Sequence, residues 1–550
     1  MRPRQALGRL RRPLPPAMLA AGIEPASELS PRPVAAGLGL EAAPQSGPVP
    51  PAHEEGAFCA VGRSRAFPSA GFWSDQGDGL LFLFHLHGFA ALAEYAAGSR
   101  TATADAFWAD VVSSWLEQHS RPSSPAWHPF PTSIRVVSWA AAVSAIDAWP
   151  EALRRRLTAS LVHQALYLRR TIEHDIGGNH VLKNAKALIF AGAVGEDDGL
   201  SAAGLRLLER ELRSQVLADG GHEERSTSYH REICRDLSEL VELLGRTGRG
   251  APAWLEEASA AMEGWLEALA GPDGGVPLLN DAWEGPPLGG PTGAAVQELA
   301  SSGYTALRGE SEHMVVDAGP MCPPHLPPHA HADVLSVVLW ADGHPLLVDP
   351  GSCTYSGPDR DAFRSTAAHN TVEVEGQSQC LFWGDFRAAF QPRVRRFPAR
   401  PTEGAVVVGG SHDGYRRLPE PVDHARRVVW WPGEGVVLVD LLSGHGAPAF
   451  SSPLHVAPDV EVSAPSHVGP FEVAPLTSHG ELGLRQGRYS PHLGRSLPAA
   501  VIDQRGRVEC GVPFGWSLLR SGRRVVELDR DRVVLARDDG SSTSVHLAFD

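Results

Sequence analysis

The hydrophobic period changes abruptly along this chain, and that change limits the fold more than any single motif. From about Phe58 to Ala270, apolar residues recur at three- and four-residue spacing, the pattern of amphipathic helices. The spacing predicts helices over Ala106–His119, Ser133–Ala148, Glu151–Glu173, His180–Gly192, Ser201–Ala218, Tyr229–Leu244 and Trp254–Ala270. Ser133, Ser201 and Pro150 read as helix starts. A Gly/Pro-rich stretch follows, with Gly271-Pro272-Asp273-Gly274-Gly275 and Gly285-Pro286-Pro287. From about Tyr304 the period falls to two, and short β-rich runs continue to Val545–Phe549. Val334–Trp340 with Pro345–Val348, and Arg426–Trp431 with Val436–Leu441, read as hairpins around Gly-containing turns. Two architectures joined in series are expected: helical hairpins over residues 56–300 and an antiparallel β-sandwich over 301–550. The helical part fits a bundle, a solenoid or an α/α toroid. No clean repeat period is visible, which argues against a regular solenoid.

With 550 residues, 43% hydrophobic and 21% charged, the chain can bury substantial cores without staples. The net charge of -15 predicts no nucleic-acid partner, though an acidic ligand could still meet a local basic site. The six cysteines, at 59, 234, 322, 353, 380 and 510, include no C-x-x-C pair, so neither a zinc knuckle nor a disulfide framework is expected. No run of eighteen apolar residues occurs, and no membrane span is predicted. Residues 1–55 are rich in Pro, Ala and Gly and read as disordered or as a mis-called start. No convincing signal-peptide core is visible there. That points to the cytoplasm by default, or to a periplasmic or secreted protein if the start is mis-called.

The densest chemistry lies at His325-Leu326-Pro327-Pro328-His329-Ala330-His331-Ala332-Asp333, then Val348-Asp349-Pro350-Gly351 and Arg364–Thr371. On a strand, period-two geometry would aim His329, His331 and Asp333 at one face. His331, Asp349 and His369 offer two imidazoles and a carboxylate, the ligand chemistry of a divalent metal. The bland alternative is a polar strand edge with satisfied histidines.

Three stretches stand out in the helical part. Gly177-Gly178-Asn179-His180 opens a helix, where Asn179 could simply be the N-cap. Asp219-Gly220-Gly221-His222-Glu223-Glu224-Arg225-Ser226-Thr227-Ser228-Tyr229-His230 could be a loop with an aromatic staple. Leu279-Asn280-Asp281 could be a turn.

Taken in order, these pieces resemble the heparinase II/III family of polysaccharide lyases. The matching set is His85-Leu86-His87-Gly88-Phe89, Arg135–Trp139, Gly178-Asn179-His180, Glu224–His230, Pro277–Asp281, His329–Asp333, Val348–Gly351, Phe363–Val372, and Ser411–Tyr415 leading into His424–Arg427. The resemblance implies an N-terminal incomplete α/α toroid followed by a C-terminal antiparallel β-sandwich. It also implies β-elimination at a uronic acid in an acidic polysaccharide of heparin, heparan, alginate or exopolysaccharide type. By resemblance Asn179 binds the uronate carboxylate, Tyr229 is the general base or acid, and His329 is its partner. His87, Arg135, His180, Glu224 and His230 contact substrate. Arg225 or His230 could supply the positive field that a tyrosine base needs. His331, Asp349 and His369 hold one divalent ion of structural role, with Zn, Ca and Mn all open. A monomer or homodimer is expected.

Three departures bear on substrate: the charged Glu223-Glu224-Arg225 run, Gly88 in place of a bulkier aromatic, and Ser138 where Asn is common. Two other functions compete. One is a non-catalytic or differently active relative associated with exopolysaccharide biosynthesis. The other is a metal-dependent hydrolase built on His329-x-His331-x-Asp333.

Overall fold

The computed structural model describes residues 16–23, 26, 28–36, 38, 56–60, 63–77, 79–402, 404–462 and 466–549. The expectation for residues 1–55 falls mostly outside them. Of the described part, Leu29 N donates to Arg155 O and Arg32 N to Val194 O, at 3.2 and 2.9 Å. Two compact units result. One comprises residues 1–216 and 231–260, the other 217–230 and 261–550.

The first unit is helical. Its helices are Leu80–Gly88, Ala90–Ala97, Ala102–Gln118, Pro129–Ala145, Glu151–Arg170, Gly178–Val194 and Asp198–Gln215, with most of Thr227–Arg246 and the start of Ala253–Leu269. The seven expected helices all form, most ends shifting by a few residues. The shifts have local causes. Pro129 at the first helical position, with His128 accepting from Phe130 N, starts one helix ahead of Ser133. Asp197, accepting from Leu200 N, starts another ahead of Ser201. Leu80–Ala97 adds helix beyond the seven expected. It is long and apolar enough by composition to cross a membrane, yet it is 61% buried and is broken by Phe89 in the left-handed region, φ 58°. Trp108, Trp115, Trp127 and Trp139 are fully buried.

The two lysines of the chain sit in this unit on one helix face. Lys183 Nζ lies 2.6 Å from Asp236 Oδ2 and 3.4 Å from Glu232. Lys186 Nζ lies 2.7 Å from Asp236 Oδ1 and also meets Glu239. The three acids recur at four- and three-residue spacing, so they form one stripe.

The second unit is built on antiparallel sheets. One is a five-stranded meander, Val296–Leu299, Tyr304–Arg308, Glu312–Asp317, Val337–Ala341 and His344–Leu347. A seven-stranded sheet is centred on Val422–Trp431 and Gly435–Gly444. Side chains of the two meet in one core, with Met314, Val316 and Leu339 against Val408, Val428, Trp430 and Leu438. The opposite face of the larger sheet is covered by a three-stranded sheet through Val429, Trp431, Val437, Val533 and Val545. Burial on both faces explains why Val428–Trp431 and Val436–Val439 are continuous apolar runs rather than alternating ones. Both expected hairpins form. The first turns at Asp342 and Gly343, φ 49° and 87°, as a two-residue turn of the primed type requires.

A buried ion pair fastens the large sheet to the loops above it. Arg426 donates from Nε to Asp440 Oδ1 and from Nη2 to Oδ2, at 2.8 and 2.9 Å. Its Nη1 donates to the carbonyls of Leu335 and Asn370, at 2.9 and 2.5 Å. His424 Nε2 is 2.8 Å from the same Asp440 oxygen. Burial opposes the Asp440 charge, but Arg426 and His424 hold its carboxyl below the ordinary carboxylate range.

Asp440→Asn should therefore destabilise the protein by about 3–5 kcal/mol, because Arg426 is left buried without its counter-charge. Urea unfolding reads this out. A depressed folded pKa contributes stability above the unfolded value and loses it as pH falls through the folded one. Wild-type stability should thus fall below about pH 4, and the Asn variant should show a shallower acid slope.

Candidate active site

The segment 217–230 docks onto 277–283 through three consecutive hydroxyls. Ser226 Oγ donates to Asp281 O, Thr227 Oγ1 to Pro277 O and Ser228 Oγ to Trp283 O, at 2.5, 2.7 and 2.9 Å. Ser226 Oγ also accepts from Tyr229 N at 3.2 Å. The Ser-Thr-Ser run thereby presents Tyr229 at the start of its helix. Arg225, in the left-handed region at φ 58°, sends its Nε to Ser302 O at 3.0 Å.

Asn280 has φ 60°, and its Oδ1 accepts from His331 N at 2.8 Å. That contact joins the segment to the histidine motif. His325–Asp333 forms turns and loop between the strands Glu312–Asp317 and Val337–Ala341, not the expected strand. Pro327 and Pro328 have no N–H to give a ladder, and Leu335 has φ 67°. The loop, not strand alternation, therefore sets where His329 and His331 point.

Asp281 gathers them. Its carboxylate is fully buried. Oδ2 accepts from His329 Nδ1 at 3.0 Å and Oδ1 from His331 Nε2 at 3.0 Å. Ser352 Oγ donates to Oδ1 at 2.7 Å. Arg360 grips both oxygens, with Nη2 to Oδ2 at 2.8 Å and Nη1 on Oδ1. Burial raises the cost of this charge, but Arg360 and the two imidazoles hold the carboxyl well below its usual range. An ionised Asp281 makes Nδ1 of His329 and Nε2 of His331 the donor atoms.

The Tyr229 ring lies over His329, centroids 3.9 Å apart. Its hydroxyl is 2.7 Å from that of Tyr355. Glu224 Oε2 lies 3.4 Å from His329 Nε2. The Arg360 guanidinium sits 5.6 Å from the Tyr355 ring centre. Tyr229, Tyr355, His329, Glu224, Asp281 and Arg360 thus form one cluster in the second unit. Tyr355, Arg360 and Ser352 were missed from sequence, although they lie between Val348–Gly351 and Phe363–Val372, two stretches that matched.

Beyond Asp281 lies the expected metal set. The ligand atoms of His331, Asp349 and His369 fall within 4.8 Å of one another, and all three residues are buried. His369 Nδ1 donates to Asp349 Oδ2 at 2.8 Å. His331 Nδ1 and His369 Nε2 are buried with no hydrogen-bond partner. Two imidazoles and a carboxylate this close together are donor chemistry that suits a divalent cation. Burial pushes His331 down to about 4, so it stays neutral, as a ligand must.

The other expected contact residues divide. His180 Nδ1 is 3.2 Å from Glu173 Oε1, and His180 is partly exposed. Asn179 is not the N-cap; Gly177 takes that place with φ 81°, and Asn179 lies inside the first turn. His87 is fully buried between Trp73 O and Trp115 Nε1, at 3.1 and 3.2 Å, and burial lowers it to about 2. Arg135 is fully buried, donating to Gln164, His87 O and Thr132. His230 is fully buried, bonded to His222 N and Met262 O and stacked on Trp265. His87, Arg135 and His230 are thus buried, each bonded to partners within its own unit.

The fold and this cluster define a helical unit and an antiparallel β unit carrying a Tyr–His pair beside a His/Asp triad that could hold a metal ion. Residues 86–287 match the heparinase II/III N-terminus model and 291–492 the heparinase II/III-like C-terminal model; the chain belongs to the heparinase II/III family. It is 26% identical over 464 residues to FtsZ-localized protein C of Caulobacter vibrioides, covering 75% of this chain and 77% of that one. It is 26% identical over 303 residues to heparin-sulfate lyase of Bacteroides stercoris, covering 46% and 44%. Among solved structures, heparinase III superposes with a TM-score of 0.69 at 17% identity, over 84% of this chain and 82% of that one. Heparan sulfate lyase HepC from Pedobacter heparinus superposes with 0.64 at 17%, over 99% and 94%.

Metal analysis of the purified protein should find a divalent ion that His331→Ala loses. Chelation should lower the melting temperature of wild type and leave that of His331→Ala nearly unchanged.

Proposed function

We propose that this protein is a polysaccharide lyase that cleaves a uronate-containing, acidic polysaccharide by β-elimination. The observation that carries the reading is the contact of Tyr229 with His329, with Tyr355 on the phenol and Asp281 on the imidazole. Elimination removes the C5 proton, forms the C4–C5 double bond, breaks the C4–O4 bond and protonates O4. Two proton transfers at adjacent atoms need two titratable groups side by side. Tyr229 and His329 supply them.

Asp281 fixes which imidazole nitrogen carries the proton and how the ring is turned, the role an orienting acid plays beside a catalytic histidine. Arg360 keeps that acid charged. A phenol with an ordinary pKa near 10 stays protonated unless strong positive charge ionises it. The phenol therefore serves best as the acid that protonates O4. The uronate carboxylate must be neutralised for C5 to become acidic, and the family resemblance gives that task to Asn179. An ion bound by His331, Asp349 and His369 would hold the loop that carries His329. The polymer falls within the glycosaminoglycan class of the heparin-sulfate lyase relatives, with alginate and exopolysaccharide uronates as alternatives.

A second reading follows from FtsZ-localized protein C, whose likeness extends over more of the chain than that of heparin-sulfate lyase. On this reading the present chain is a non-catalytic or differently active member of the family. The assembled Tyr229–His329–Asp281 set favours catalysis.

The test is absorbance of the unsaturated uronate product on incubation with heparan sulfate, heparin, alginate and other uronate polymers. On the polymer that reacts, Tyr229→Phe keeps the ring and removes the hydroxyl, and should lower kcat by about 10²–10⁴-fold. Near wild-type kcat in that variant, or no product from any polymer, would sink the reading.

A further inference from the structure

A short hairpin, Leu381–Phe382 with Ala388–Phe390, carries Trp383 and Phe386 in its turn. They are 65% and 50% exposed. Two large aromatics held this open in one turn need an explanation, because such area is normally buried or used.

The turn is built, not slack. Trp383 N donates to Arg387 O at 2.8 Å. Arg364 is buried at 2% exposure, and its guanidinium donates to Asp385 O and Gly384 O at 3.0 and 2.9 Å. The same group lies 4.2 Å from the Phe382 ring centre. A buried cation thus ties down two carbonyls of the turn and keeps the rings outside.

This surface runs into the candidate active site within the same unit. Phe386 and Tyr355 have ring centroids 6.3 Å apart, inclined by 37°, and the Tyr355 hydroxyl is 2.7 Å from that of Tyr229. Arg387 is exposed, with its guanidinium 5.2 Å from the Trp383 ring centre. A pyranose ring presents apolar C–H faces and polar edges. Aromatic faces suit the first, and an arginine fork suits a carboxylate or sulfate on the second.

We propose that Trp383, Phe386 and Arg387 form a saccharide platform that binds a unit of an acidic polysaccharide neighbouring the one at Tyr229 and His329. The platform rests on the lyase reading and gives it a specificity-determining surface. The two aromatics stack on the sugar, and Arg387 takes its anionic group.

The experiment measures binding and turnover separately. Binding is followed by calorimetry in the Tyr229→Phe background, with heparan sulfate and alginate oligosaccharides as probes. Turnover is followed with Tyr229 intact. Trp383→Ala and Phe386→Ala should each weaken binding and raise KM by about tenfold, the loss of an aromatic hot spot, with kcat within about twofold. Arg387→Gln should weaken binding and flatten its salt dependence. Thermal melts check that these surface variants remain folded. Unchanged affinity and KM in both aromatic variants would overturn the platform and leave the rings to a protein partner, even if turnover confirms the lyase. Binding through Trp383 without product from any polymer would sink the lyase reading and keep the glycan site. Wild-type protein that binds neither probe overturns the platform.

Discussion

The Asp281 carboxylate is the contact on which both halves of the candidate site depend. It is fully buried and accepts from His329, His331, Ser352 and Arg360. A buried carboxylate is stable only when its charge is matched and its lone pairs are filled, and here both conditions hold. One oxygen sets the tautomer of the histidine beside Tyr229. The other sets that of His331. The Tyr229–His329 contact and the triad therefore share an anchor, and a change at Asp281 would disturb both and strand Arg360 in the interior.

The loops that carry these groups are fastened from below. The large sheet is buried on both faces, so its strands are a rigid base. From it Arg426 reaches up to the carbonyls of Leu335 and Asn370. Leu335 follows the histidine loop, and Asn370 follows the triad residue His369. Asn370 is itself tied down, its Nδ2 donating to Val337 O and Val348 O at 2.8 and 3.0 Å. Irregular backbone can hold catalytic geometry when its polar groups are satisfied this way.

What the sequence revealed was local. Helical spacing located seven helices, and the turns at Asp342-Gly343 and Pro432–Gly435 located two hairpins, because each depends on neighbours a few residues away. The histidine motif misled for the same reason. His-x-His-x-Asp imitates strand alternation, yet His331 N pairs with Asn280 and Ala332 N with Arg364 O, partners that no local pattern specifies. Tyr355 meets Tyr229 across 126 residues of chain, and Arg360 meets Asp281 across 79, so neither role could be seen in spacing. Motif resemblance located His87, Arg135 and His230 without saying which way their side chains turn. All three turn inward and satisfy the interior.

Burial also bears on what the triad can do. His331, Asp349 and His369 are at most 2% exposed. Asp333 lies near His369 with both carboxylate oxygens unpartnered, and burial together with Asp317 pushes its carboxyl well above the ordinary range. Acids crowded in a dry site favour either protonation or a bound cation. A catalytic ion needs a coordination position open to water or substrate, whereas a structural ion can be closed in. A triad this deep would give an ion no path to a polymer, which argues against a hydrolase built on His329, His331 and Asp333. On the other side of Asp281, Tyr355 is partly exposed and His329 retains 12% of its side-chain surface.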